Sequence, residues 1–346
     1  MLRIFFRRLQ LHGREKIPTN TPKIIVTNHQ NAFLDAIITG AFFKEHNMYF
    51  LTRASVFKNP IARWILSQYK MLPIYRIRDG VSAVKKNDEI FERCVKILEK
   101  KGTLLIFAEG NHGTKKYLRP LQKGISRIAF EAEQRHNFNL NVQIVPIGLN
   151  YEDISAFRNN FFMNVGDPFA VKDFQKEFEQ DANAGMLDLK DKLAEHLRPL
   201  IINISPDNYE EVEGKWLALR ERQPTLKEQF EHDQNLINEI EKGDVKVKSP
   251  KKREGNFWGN PLCWYAAINH FIPFLIIKSI LRPVKDRAFW ASIKYALGMF
   301  LVPMFYFIQF SLIYYISNDL YLSVAYLVSL PIIGIGVYDY YKSEAI

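Results

Sequence analysis

A chain of 346 residues with 47 Lys and Arg against 37 Asp and Glu carries a formal net charge of +10 at pH 7, and 47% of it is apolar and 24% charged. This composition excludes a disordered tail, a collagen and a disulfide-stapled mini-domain, and the length accommodates about two domains of ordinary size. The mean hydropathy of −0.17 hides a division: residues 295–318 and 320–338, 24 and 19 long, contain no Asp, Glu, Lys or Arg, and each meets the length of about 20 apolar residues that cross hydrocarbon as helix.

The two cysteines, Cys94 and Cys263, lack the spacing of a metal site or a redox pair, which indicates a reducing compartment. The start, Met1–Leu11, is basic and apolar but has no run long enough for a signal peptide. It reads either as an amphipathic segment lying on a membrane surface, with Arg3, Arg7 and Arg8 near lipid phosphates, or as a packed helix. From Lys23 to about Gly166, β-rich runs alternate with helical patterns. Strands are expected at Ile24–Thr27, Met48–Thr52, Leu72–Tyr75, Thr103–Phe107, Val142–Leu149 and Phe161–Val165, and helices at Phe33–Phe43, Pro60–Gln68, Ser82–Lys100 and Leu121–His136. The alternation predicts an α/β fold, a sheet flanked by helices, closed by an amphipathic helix over 186–203.

Residues 1–204 are thus expected to form one domain, ahead of a C-terminal α-helical membrane region over 256–346. Between them, residues 205–255 read as a solvated helical connector ending in Lys246, Lys248, Lys251, Lys252 and Arg253, a cluster whose place beside membrane segments favours anionic lipid over nucleic acid. Residues 256–282 are rich in apolar side chains, but Asn256, Asn260, Pro261, Asn269, His270 and Pro273 point to an interfacial or re-entrant segment, with His270 satisfied at the interface. Spans are expected over about 295–317 and 320–338. Lys278, Arg282, Lys285, Arg287 and Lys294 precede the first span, whereas the turn offers only Ser317, Asn318 and Asp319, so the basic side and the domain are expected on the cytoplasmic face.

The sharpest local signal is Val26-Thr-Asn-His-Gln-Asn-Ala-Phe-Leu-Asp-Ala36, in which a β-rich run ends at His29 and a helical pattern starts around Asp35. A carboxylate there can hold the imidazole and offset its charge while the ring deprotonates a hydroxyl. By itself such a pair is more often a local hydrogen bond or a cap. Three further segments follow in order: Leu72-Pro-Ile-Tyr-Arg-Ile-Arg78, Phe107-Ala-Glu-Gly-Asn-His-Gly113 and Val145-Pro-Ile-Gly148.

Together these four segments resemble the ordered boxes of the glycerophosphate acyltransferase superfamily, which includes bacterial lysophosphatidate acyltransferases; the resemblance covers about residues 12–166. Five residues between His29 and Asp35 instead of four, and the continuation Leu118-Arg-Pro-Leu-Gln-Lys-Gly124, are more similar to the fungal glycerol-3-phosphate and dihydroxyacetone-phosphate branch. Lys70, Ala108 and Asn111 depart from the usual boxes, and they bear on the acceptor more than on the reaction.

The resemblance implies that His29 is the general base and Asp35 its orienting partner. It implies that Arg76 and Arg78, with Glu109 and the Gly110 backbone, bind the acceptor's phosphate and glycerol, Glu109 by orienting the arginines or a hydroxyl, and that the box holding Val145 and Pro146 is structural or meets the oxyanion with backbone N–H groups near Val145–Gly148. The acceptor is expected to be 1-acyl-glycerol-3-phosphate or glycerol-3-phosphate, and the donor an acyl thioester, acyl-CoA or acyl carrier protein, with no other cofactor, no metal and no nucleic acid. His112 reads as a loop histidine without a catalytic part. Two other functions stand beside this one: acylation of a non-glycerophosphate lipid, and non-catalytic lipid binding on the same fold.

Overall fold

The computed structural model describes residues 1–75, 85, 87–243 and 259–344. Arg76, Arg78 and the basic cluster from Lys246 to Arg253 lie outside the described residues.

Strand β2 (Lys23–Thr27) is buried along its whole length, and β5 (Thr103–Phe107) nearly so. Such unbroken apolar runs suit parallel strands covered on both faces. They pair with each other in parallel, Ile24 opposite Leu104 and Thr27 opposite Phe107, at the centre of a sheet ordered β1-β7-β6-β2-β5-β3-β4. Here β1 is Phe6–His12, β3 Met48–Arg53, β4 Met71–Ile74, β6 Gln143–Tyr151 and β7 Asn159–Val165; the two-residue β8, Phe169–Ala170, pairs with β6. Pairing is parallel except where β6 meets β7 and β8.

Because side chains alternate along a strand, the central strands feed two cores. Ile24, Val26, Leu104 and Ile106 pack on one face against Val95 and Leu98 of a helix over Asn87–Glu99, Ile125 and Ile128 of one over Gly124–Gln134, and Leu189 and Leu193 of one over Ala182–Leu197. Ile25, Leu105, Val145 and Ile147 pack on the other face against Leu34 and Ile38 of the helix Leu34–Phe42, against Phe5 and Phe6, and against Ala291. Ala291 belongs to the membrane region, so that region is anchored in the domain core. We call the helix Leu2–Phe5 α1 and Leu34–Phe42 α2.

The N-terminus departs from expectation. It forms the single turn α1 and then β1, paired in parallel with β7 through Leu9 opposite Phe161 and Leu11 opposite Met163, and so is mostly a strand rather than a packed helix. Phe5 and Phe6 are buried in the core, while Met1 and Ile4 stay exposed. Residues 205–243 also differ from a solvated connector. Helices over Tyr209–Leu219 and Leu226–Lys242 bury Tyr209, Val212, Trp216, Phe230 and Ile237 against Phe162 of β7, and Thr225 with Glu228 closes a capping box on the second.

Three helices, Pro261–Leu281, Trp290–Ser317 and Leu320–Glu344, are long and apolar enough to cross a membrane. The two expected spans fall inside the second and third. The first holds Asn269, His270 and Pro273 within one helix, and its polar groups find partners on its neighbours. His270 Nε2 lies 2.7 Å from the Tyr306 hydroxyl, Gln309 Nε2 donates to the Asn269 carbonyl at 3.0 Å, and the Tyr326 hydroxyl bonds both Gln309 and Asn269. Interhelical hydrogen bonding of this kind offsets part of the cost of burying these polar groups.

Candidate active site

The site lies where the parallel strands β2 and β5 end, the edge of an α/β sheet at which ligands bind. Chain leaving β2 at Thr27 turns through Asn28–Phe33 into α2, and chain leaving β5 carries Ala108–Gly113 alongside it. Asn28 fastens this turn to β6: its side-chain amide donates to the Leu149 carbonyl at 3.0 Å and accepts from the Leu149 N–H at 2.8 Å.

His29 Nδ1 lies 2.8 Å from Asp35 Oδ2, and the two side chains are 12% and 0% exposed. An ionised carboxylate only accepts, so Nδ1 carries the proton and the basic lone pair sits on Nε2. The N–H groups of Gln30 and Asn31 donate to the same Oδ2, each at 2.9 Å, and the Tyr151 hydroxyl donates to Oδ1 at 2.6 Å. Four donors therefore hold the Asp35 carboxylate in the geometry that orients His29. Burial, and after it the Asp35 charge, hold the Tyr151 phenol well above its ordinary pKa, so it remains a donor. The His29 ring stacks on Phe107 at 4.0 Å, which fixes its plane from the other side.

Glu109 is buried and engaged on both oxygens. Oε2 accepts from the His29 N–H at 2.9 Å and from Arg119 Nη2 at 2.5 Å, and Oε1 accepts from the Arg119 N–H at 3.0 Å. Arg119 Nη2 also donates to the His29 carbonyl at 2.9 Å and to the Asn111 carbonyl. The arginine that Glu109 orients is thus Arg119, and the pair braces the His29 backbone. Gly110 takes a φ of +66, where a Cβ would stand 2.9 Å from Gln122 Cγ, so the turn after Glu109 favours glycine.

Val145 and Pro146 sit differently from the oxyanion role expected of them. Both are buried inside β6, with Ile25 opposite Val145 and Val26 opposite Pro146. Val145 is therefore level with a residue four positions before His29, about 13 Å along the strand at 3.3 Å per residue, and proline has no N–H to donate. Their place is the core beneath the site.

Sequence reasoning missed several contributors. Tyr151 and Arg119 reach the site from a strand end and a loop. His112, read as an uninvolved loop residue, has its ring 5.8 Å from that of His29 and its Nε2 2.7 Å from Asp286 Oδ2, in the segment leading to the second long helix. Beside Tyr151, Lys116 is buried with its ammonium donating to the Tyr151 carbonyl; burial, then the Arg220 charge, lower its pKa to about 8. Among the described residues no group of His, Cys, Asp and Glu could hold a metal ion.

Residues 8–150 match the sequence profile of the family described as Acyltransferase. The chain is 29% identical over 148 residues to a chloroplast 1-acyl-sn-glycerol-3-phosphate acyltransferase of Arabidopsis thaliana, 42% of this chain and 36% of that protein. It is 30% identical over 105 residues to glycerol-3-phosphate O-acyltransferase 1 of Saccharomyces cerevisiae, 29% of this chain and 14% of that one. Among solved structures, the 1-acyl-sn-glycerophosphate acyltransferase PlsC of Thermotoga maritima is 18% identical, with a TM-score of 0.35 over 54% of this chain and 73% of its own. The chain spans about a third of the length of the plant relatives, 36% and 38%. The matched stretch contains the His29–Asp35 pair and the Glu109–Arg119 brace, and the chain accordingly carries a domain of the acyltransferase family over residues 8–150.

Proposed function

We propose that the protein is a membrane-bound O-acyltransferase of glycerolipid synthesis, moving a fatty acyl group from an acyl thioester to a hydroxyl of 1-acyl-glycerol-3-phosphate or glycerol-3-phosphate. The observation that carries this reading is the His29–Asp35 pair, with Nδ1 held by a buried carboxylate and Nε2 left for a hydroxyl. Nε2 takes the acceptor's hydroxyl proton as that oxygen forms its bond to the thioester carbonyl carbon. The C–S bond then breaks, and the departing thiolate recovers the proton from the imidazolium. A thioester is already activated, so no covalent enzyme intermediate is required. Asp35 stabilises the imidazolium in between.

A lipid acceptor is favoured by the seat of the membrane region. Ala291 and Tyr295, in the first turns of a helix long enough to cross hydrocarbon, pack into the core beneath α2. A lysolipid's hydroxyl can therefore reach His29 with its chain still in the bilayer. Arg76 and Arg78 are proposed to take the acceptor phosphate by guanidinium forks. The domain is proposed to face the cytoplasm and the basic cluster Lys246–Arg253 to rest on anionic headgroups, with the donor's carrier being coenzyme A or acyl carrier protein.

The test is purified full-length protein with a radiolabelled acyl thioester and a panel of acceptors, read by product chromatography. His29→Ala should lower turnover by about 10²- to 10⁴-fold, the usual worth of general-base assistance, while the protein stays folded and membrane-bound. Undiminished turnover in that variant overturns the assignment. Acylation of a non-phosphorylated lipid, with both glycerophosphates refused, overturns the acceptor.

A further inference from the structure

A complete accounting of the backbone N–H groups around the His29–Asp35 turn leads outside the domain. The His29 N–H goes to Glu109, those of Gln30 and Asn31 go to Asp35, and that of Asp35 goes to the Asn31 carbonyl at 3.1 Å. Three remain, from Ala32, Phe33 and Leu34, and these are the donors that a helix start leaves without intrahelical partners. The chain offers α2 no side-chain cap of its own, since Phe33 stands at the capping position. All three donors are met from the segment that opens the second long helix. The Ala32 N–H donates to the Ala288 carbonyl at 3.2 Å, and those of Phe33 and Leu34 donate to Ser292 Oγ at 3.3 and 3.2 Å. The Ser292 hydroxyl in turn donates to Asn31 Oδ1 at 2.9 Å, while Asn31 Nδ2 donates to the Ile154 carbonyl at 2.7 Å.

From this we propose that Ser292 is a positioning residue for acyl transfer: a serine from the membrane region caps α2 and holds Asn31, so that the turn presenting His29 and Asp35 is assembled only with the membrane helix seated on it. Ser292 is 7% exposed and Asn31 is 0% exposed, so the hydroxyl meets Asn31 and the start of α2 away from solvent. Neighbouring contacts hold the same segment in place. Phe289 packs edge-on to Phe33 at 6.1 Å and to His112 at 5.0 Å, and Asp286 bonds His112. Ser292 touches neither substrate nor the reacting atoms; it acts through the Asn31–Asp35 turn. Asp35 lies in the first turn of α2, so loosening that turn moves the carboxylate that aims the imidazole, and a misplacement of about 1 Å at such a site can lower turnover about 100-fold.

The proposal rests on His29 being the catalytic base, and the experiment separates the two. In full-length protein, Ser292→Ala should lower kcat about 10- to 100-fold with acceptor KM little changed, and the Phe33 and Leu34 amides should lose hydrogen-exchange protection while those of β2 keep theirs. Ser292→Thr, which retains the hydroxyl, should restore most of the rate, whereas Ser292→Cys, which retains the volume with a weak acceptor, should not. Ser311→Ala, on the exposed face of the same helix, is the control expected to leave activity unchanged. Should Ser292→Ala fail to fold, the Thr and Cys variants still decide. Equal kcat in Ser292→Thr and Ser292→Cys, with wild-type protection at Phe33 and Leu34, overturns the proposal. Turnover undiminished by His29→Ala overturns the catalytic reading instead, and the exchange result at Phe33 and Leu34 then still reports whether Ser292 holds the turn.

Discussion

Tyr151→Phe removes one oxygen and tests whether the Asp35 carboxylate must be held from both ends. In the wild type, Asp35 Oδ2 has three donors, the His29 ring and two backbone N–H groups, but Oδ1 has only the Tyr151 hydroxyl at 2.6 Å among the described residues. Both side chains are essentially excluded from water, with Tyr151 at 2% and Asp35 at 0% exposure. A hydrogen bond to a charged group contributes about 1.5–3 kcal/mol, and a buried acceptor left without its donor loses about that much. Denaturant unfolding of Tyr151→Phe should therefore show a loss of about 1.5–3 kcal/mol. The carboxylate would then turn more freely about its three remaining bonds, and kcat should fall about 10-fold, equivalent to 1.4 kcal/mol in the barrier, with KM for both substrates retained. The phenol supplies a second readout. Its pKa is raised well above 10.0 by burial and then by Asp35, so above about pH 10 the unfolded chain releases a proton that the folded one keeps. Wild-type stability should fall with rising pH in that range, and the Phe variant should lack this contribution. Wild-type kcat together with wild-type stability in Tyr151→Phe would refute the argument.

Glu109→Gln leaves the Arg119 guanidinium without its charge partner in a site where the glutamate side chain is 2% exposed, so it should lower stability by about 3–5 kcal/mol in a denaturation assay rather than raise acceptor KM selectively. Lys116 has a pKa of about 8 in the fold against 10.5 when free, so between those values the unfolded chain holds more protons and stability should rise with pH, by about 3 kcal/mol in all; Lys116→Met should lack that rise between pH 8 and 9.5. Gly334→Ala places a methyl 2.7 Å from the His270 ring, and thermal unfolding in detergent should show a bundle weakened by about 1–3 kcal/mol of overpacking. A cysteine at Ser317, in the turn of the proposed hairpin, should react only with reagents applied to the side opposite the domain; reaction from the domain's side would reverse the orientation.

What the sequence made legible was whatever is encoded by neighbours along the chain. The run Thr103–Phe107 is apolar without interruption, and it forms β5 with the expected bounds. The pair His29 and Asp35 sits within one turn, so its spacing alone brings it together. The N-terminal strand was hidden because Phe5-Phe6-Arg7-Arg8-Leu9 satisfies a helical face as readily as an edge strand, and its partner β7 lies some 150 residues away, beside Phe161 and Met163. The helices over 209–242 were legible as helices but their burial was obscured by charge: Tyr209, Val212 and Trp216, then Phe230 and Ile237, do recur three, four and seven apart, but an acidic and basic majority masks a stripe that is buried only once β7 offers Phe162. Ser292 was out of reach of any local pattern, since a serine in an apolar helix looks like an incidental polar residue until Asn31, 261 positions earlier, is beside it.

The Glu109–Arg119 brace bears on where the charge of the proposed acceptor would be met. Both carboxylate oxygens face inward to the His29 N–H and to Arg119, and the guanidinium in turn spans the His29 and Asn111 carbonyls. The pair is close to neutral as a unit and lies behind the His29 backbone, so it holds the base's position without presenting a free cation to a phosphate. Arg53, partly exposed, donates to Asn111 Oδ1 at 2.9 Å beside the Glu109 loop. Asn111 occupies the position at which the resembled family has threonine, and it is the residue through which the brace and Arg53 are joined. Among the described residues Arg53 bonds Asn111 by a charge-assisted hydrogen bond to an uncharged amide, and exchanging that bond for one to an anion is a smaller loss than breaking a buried ion pair. On the proposed reading, orientation of His29 falls to the Glu109–Arg119 charges, which stay paired, and recognition of the acceptor falls to cations outside that pair.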